Sequence, residues 1–135
     1  MSDKSPETGY PPGPRNIGIL SLIRYKFPVQ AIVSILHRIS GVFLFIFIPI
    51  VIWAFDCSMK SPATFAKVTS AFDNGGVEFV IWFFTSMLTY HFCAGVKHLI
   101  LDMGFCDSKF SSRIASYLML IIAAALIALL GVWIW

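Results

Sequence analysis

Three apolar runs, each long enough to cross a bilayer, leave this chain few folds to choose from. They extend from about Val29 to Phe55, from about Val77 to Val96 and from about Ile114 to Trp135. A helix needs about 20 residues to span the roughly 30 Å of a bilayer's hydrocarbon. Of the 135 residues, 58% are hydrophobic and only 13% are charged, too few to clothe a soluble core. The expected fold is therefore an all-α membrane protein. Its transmembrane helices cover about 29–55, 77–99 and 114–135, within one unit of residues 29–135 that forms part of a heteromeric helix bundle.

Lys and Arg near the helix ends set the orientation. The N-terminal segment carries Lys4, Arg15, Arg24 and Lys26, and the loop after the second helix carries Lys109 and Arg113. The first loop mixes Lys60 and Lys67 with Asp56, Asp73 and Glu78. The N-terminus and the second loop are expected on the cytoplasmic (or mitochondrial matrix) side. Trp53, Trp82, Trp133 and Trp135 then mark the far interface as an aromatic belt. Residues 1–28, with Pro11-Pro12-Gly13-Pro14, read as an irregular cytoplasmic segment. They lack the apolar core of a signal peptide and the Arg-rich pattern of a transit peptide, so a bacterial inner membrane is expected ahead of a mitochondrial one. The net charge of +3 fits juxtamembrane basic residues, and nothing in the sequence points to nucleic acid. Cys57, Cys93 and Cys106 form no CxxC and fall at three different depths, so neither a disulfide framework nor covalent haem attachment is expected.

Ionisable residues interrupt two of the runs. Charge at a bilayer centre costs about 2.5–3.5 kcal/mol on insertion scales, so such residues usually face a bundle interior or a cofactor. In the first run, Ser34, His37, Arg38 and Gly41 share one helical face. Arg38 offers five donors in a rigid fork and stays charged. Ser34 adds a hydroxyl, and Gly41 permits close approach. Such a stripe can hold a carbonyl or a carboxylate, though Arg38 on its own could snorkel to the headgroups.

At the end of the second run, His91, Gly95, His98 and Asp102 fall within about 60° of each other, if the helix continues that far. The first two helices are antiparallel, so the two stripes converge on one side of the membrane. His91 suits a b-type haem, whose iron takes imidazole readily. Gly95 would let a flat cofactor lie against the helix, with Arg38 and His37 or His98 at the propionates. His98 shares a helix with His91, and Arg38 draws the His37 turn toward the polar edge. A second axial ligand is therefore expected from another subunit. A cofactor-free structural anchor or assembly subunit, with histidines as interhelical hydrogen-bond partners, is the alternative. A proton-relay role for His91 is disfavoured because no carboxylate lies in the hydrocarbon core.

Ser34-Ile-Leu-His37-Arg38-Ile-Ser-Gly41 resembles the S-x-x-H-R-x-x-G signature of the cytochrome b subunits of succinate dehydrogenase (respiratory complex II). His91-x-x-x-Gly95-x-Lys97-His98-x-x-x-Asp102 resembles their second signature, H-x-x-x-G-x-R-H-x-x-x-D, with Lys97 replacing the usual Arg. The likeness covers about 100 residues from Phe27 onward. It implies a membrane anchor for a flavoprotein subunit and an iron–sulfur subunit, in an enzyme that passes electrons from succinate in the tricarboxylic acid cycle to ubiquinone. It implies His91 as axial ligand to haem b, opposite a histidine of a second small anchor subunit. His37 and Arg38 would lie near the propionates, and Ser34 and Arg38 would contribute to the quinone pocket. The succinate-oxidising site is expected in the partners, since this chain has no flavin site and no cysteine cluster.

Overall fold

The computed structural model describes residues 27–105 and 108–135. Residues 1–26, together with Cys106 and Asp107, lie outside the described residues. They include most of the expected irregular segment and its basic residues. Four helices follow one another: α1 (Val29–Met59), α2 (Pro62–Ala71), α3 (Gly75–Asp102) and α4 (Lys109–Ile134). Among the described residues, three of them (α1, α3 and α4) are long and apolar enough to cross a membrane.

Local chemistry sets the helix ends. Pro28 cannot continue a helix backward, and its carbonyl accepts from the Ala31 and Ile32 amides at the start of α1. Near the other end of α1, Asp56 and Lys60 form an exposed i,i+4 ion pair at 2.7 Å. Such a pair adds little stability in water. The hydropathy pattern makes 56–76 a loop, but α2 occupies its middle. Ser61 and Thr64 form a reciprocal capping box, and Pro62 occupies the first turn. Asn74 caps α3 by accepting from the Gly76 amide at 2.9 Å. Gly104, at φ 82°, takes the left-handed conformation that turns the chain after α3. Ser108 caps α4 at the Ser111 amide, so this helix starts five residues before the apolar run does.

The three long helices pack as an antiparallel bundle. Rising positions in α1 meet falling positions in α3: His37 lies by Gly95, Gly41 by His91, and Phe47 by Phe83. α4 returns along α3, with Met119 in the same cluster as Ala94, and with Trp82 near Gly131 and Trp135. The buried cluster is small: Val33, Ala94, Met119 and Ala123. Ser40, Ser86 and Ser116 are buried as well. Small side chains let helix backbones approach where lipid offers no hydrophobic drive between them. The outward surface is apolar, with Phe45, Val132 and Trp133 at least 80% exposed. In water that would be a fault, but toward lipid and partner helices it is the expected finish. Cys57 and Cys93 are free thiols.

Candidate imidazole site between the first and third helices

The start of α1 and the end of α3 bring three imidazoles together. The His37 and His91 rings stack with centroids 4.1 Å apart and 19° from parallel. His98 lies 5.3 Å from His37 in a tilted arrangement. Two glycines make the stack possible. A Cβ on Gly41 would sit 3.1 Å from Cε1 of His91, and one on Gly95 would sit 3.5 Å from Nε2 of His37. Each helix thus supplies one imidazole and one gap for its neighbour's.

His91 is fixed through Nδ1, which lies 3.0 Å from the Ser40 hydroxyl oxygen and 3.1 Å from the His37 carbonyl oxygen. Ser40 donates its own hydrogen to that carbonyl at 2.8 Å. A carbonyl only accepts, and the serine hydrogen is already committed. Nδ1 therefore carries a hydrogen, and in the neutral ring Nε2 keeps its lone pair. This tautomer is assigned from the bonding pattern. Nε2 of His91 has no hydrogen-bond partner among the described residues. Next to His91, Tyr90 donates to the carbonyl of Val33, one turn before His37, at 3.1 Å and ties α3 to α1. Nε2 of His37 is buried without a partner.

The residues expected on one α1 stripe separate in the fold. His37 and Gly41 meet α3, Ser34 is half-buried, and Arg38 is exposed. Neither Ser34 nor Arg38 makes a side-chain hydrogen bond among the described residues, although Arg38 lies within electrostatic range of His98. On α3 the helix does continue to Asp102, which is exposed. Gly95 faces the His37 ring where a flat cofactor was expected. Lys97, which stands where the second signature usually has Arg, is 6% exposed. It lines an otherwise apolar groove of about 310 Å³ between α3 and α4 and makes no ion pair among the described residues. Ser40 is the site residue that the sequence reading missed. Its one legible signal is a hydroxyl three residues after His37, on a turn facing the neighbouring helix.

Residues 19–131 match a protein family described as the succinate dehydrogenase/fumarate reductase transmembrane subunit. The chain belongs to that family. Both histidine-containing motifs and all three long helices begin inside the matched span. The chain is 35% identical over 117 residues to the succinate dehydrogenase cytochrome b556 subunit of Coxiella burnetii, covering 86% of this chain and 94% of the relative. It is 29% identical to the subunit of the same name from Rickettsia prowazekii, over 80% of this chain and 84% of the relative. The likeness extends to Paracoccus denitrificans, at 31% identity over 60% of this chain and 62% of the relative. In this member of the transmembrane-subunit family, the imidazole site occupies the end of the bundle where α1 begins and α3 ends.

Proposed function

We propose that this chain is the haem b-binding membrane-anchor subunit of a succinate dehydrogenase. In this reading it holds the flavoprotein and iron–sulfur subunits at the membrane and contributes to ubiquinone reduction. The observation that carries the reading is the state of His91. Its Nδ1 donates toward two acceptors, which leaves Nε2 with a free lone pair. Metal-bound histidines ordinarily have this arrangement, with the second nitrogen donating to a carbonyl or hydroxyl. The names of the relatives support haem as the group bound.

The residues present fit that group. The gap at Gly41 seats the His91 ring without a clash, and the sealed Nε2 of His37 is a polar atom without a protein partner, as a propionate neighbour would be. Haem b, when bound, supplies a one-electron carrier. His91 would hold its iron through Nε2. His37 stacks beside His91 instead of opposing it, so two ligands from this chain cannot clamp one iron. That supports a second small anchor subunit as the source of the other ligand. Ser34 would donate to a quinone carbonyl, and Arg38 would hold a fixed positive charge where negative charge develops on the quinone. The exposure of Arg38 supports a pocket completed by partner subunits. Lys109 and Arg113 at the same end support a cytoplasmic location for that face, in a bacterial inner membrane.

A reduced-minus-oxidised visible spectrum of the complex purified with its partners tests the reading, alongside His91→Ala. A b-type α-band that is lost or shifted in the variant is the expected result. An assembled wild-type complex without haem would overturn it.

A further inference from the structure

We propose that Ser40 is a positioning residue for His91, holding its imidazole in one tautomer and one rotation. The proposal rests on the reading of His91 as an iron ligand.

Serines inside helices commonly donate to a carbonyl three or four residues back and do nothing more. Two buried serines of this chain follow that pattern. Ser86 donates to the Trp82 carbonyl at 2.6 Å, and Ser116 to the Ser112 carbonyl at 2.9 Å. Ser40 is 1% exposed and makes the same kind of bond, to the His37 carbonyl. Unlike the other two, its oxygen also reaches another helix, to Nδ1 of His91 at 3.0 Å. Among the buried serines in the described residues, Ser40 alone bridges two helices through its side chain.

The bridge has a direct consequence for the ring. The back-bond uses the serine hydrogen, so the oxygen presents lone pairs to His91. With the His37 carbonyl it forms a pair of acceptors at 3.0 and 3.1 Å from one nitrogen. Two acceptors fix the imidazole rotation more tightly than one would. They also exclude the tautomer that places hydrogen on Nε2, the nitrogen a metal needs bare. An acceptor on the distal N–H raises the ligand's basicity, and loss of such outer partners typically weakens metal affinity about 10–100-fold.

The test uses the whole complex with its partner subunits and two variants of nearly equal shape, Ser40→Thr and Ser40→Val. Both add bulk at a buried site, and only Thr keeps the hydroxyl. Haem per complex, the rate of haem loss to an apoprotein acceptor and the haem midpoint potential are measured. Ser40→Thr is expected to match the wild type. Ser40→Val is expected to lose haem roughly tenfold faster and to show a more positive potential, because a less basic imidazole stabilises ferric iron less. Equal behaviour of Thr and Val would overturn the role of Ser40. If added bulk prevents assembly of either, Ser40→Ala is measured: the same losses support the role, and wild-type values overturn it. His91→Ala separates the two readings. A variant that keeps wild-type haem overturns the ligand assignment and the Ser40 role with it. Loss of haem in His91→Ala with no effect at Ser40 overturns only the latter.

Discussion

The carbonyl of His37 and Nδ1 of His91 lie 3.1 Å apart, and the two rings stack at 4.1 Å. One residue therefore contacts His91 twice, through its main chain at the ring edge and through its side chain at the ring face. The main-chain contact shares with the Ser40 oxygen in setting the tautomer, and no substitution at position 37 removes it. The side-chain contact covers one face of the ring and closes it to other groups. The close approach that both contacts require falls on two glycines with unequal margins.

Those margins predict opposite outcomes for two alanine substitutions. A methyl on Gly41 would meet Cε1 of His91 at 3.1 Å, closer than most packed carbons tolerate, whereas a methyl on Gly95 would meet His37 at an ordinary 3.5 Å. Gly41→Ala is expected to displace the imidazole, cost about 1–3 kcal/mol as overpacking does, and strip most haem from the complex. Gly95→Ala is expected to retain it. Haem content per assembled complex measures both, and a Gly95→Ala loss as deep as that of Gly41→Ala would refute the difference.

The long helices are legible in the sequence because about 20 apolar residues in succession admit little else in a bilayer. Their ends are less so. The first turn of α4 is polar, and its start is set by the Ser108 cap, which carries no hydropathy signal. α2 is ten residues long with no run to announce it, although Ser61-Pro62 and Thr64 hold its start signal. Within the site, the i, i+3 and i+4 spacings place His37 with Gly41 and His91 with Gly95 on common faces. They do not fix the register between helices. That register makes Gly41 a seat for His91 and Gly95 a seat for His37, and it puts Ser40 in reach of Nδ1. A serine three residues after a histidine is unremarkable until the neighbouring helix is in place.

Tyr90 offers a contrast to the imidazole contacts. Its hydroxyl donates to the Val33 carbonyl at 3.1 Å, next to the site but outside it. Interhelical hydrogen bonds in membranes average about 0.6 kcal/mol. Tyr90→Phe is expected to lower the thermal inactivation midpoint slightly and to leave the α-band and midpoint potential unchanged. A spectral shift in this variant would place Tyr90 in the haem environment instead.

Orientation is open to chemical labelling. Met59 ends α1 and is 70% exposed; Phe110 opens α4 and is 65% exposed. The basic residues Lys109 and Arg113 flank Phe110, and the excess of Lys and Arg marks the cytoplasmic side. In a background with Cys57 and Cys106 changed to serine, a membrane-impermeant maleimide is expected to label Met59→Cys from outside spheroplasts. Phe110→Cys is expected to react only after permeabilisation. The reverse pattern would invert the topology.

Arg38 carries the prediction closest to function. It is exposed and makes no side-chain hydrogen bond among the described residues, so removing it breaks none of them. Its planar fork can bond two oxygens at once. If it serves the quinone, Arg38→Leu should cut succinate-dependent quinone reduction by roughly 10²-fold, the usual cost of losing a donor that stabilises developing negative charge. Succinate oxidation by an artificial dye, which bypasses the membrane site, should stay near wild type. Arg38→Lys keeps the charge and loses the fork, so an intermediate rate is expected. Parallel loss of both activities in Arg38→Leu would instead make Arg38 a docking residue for the partner subunits.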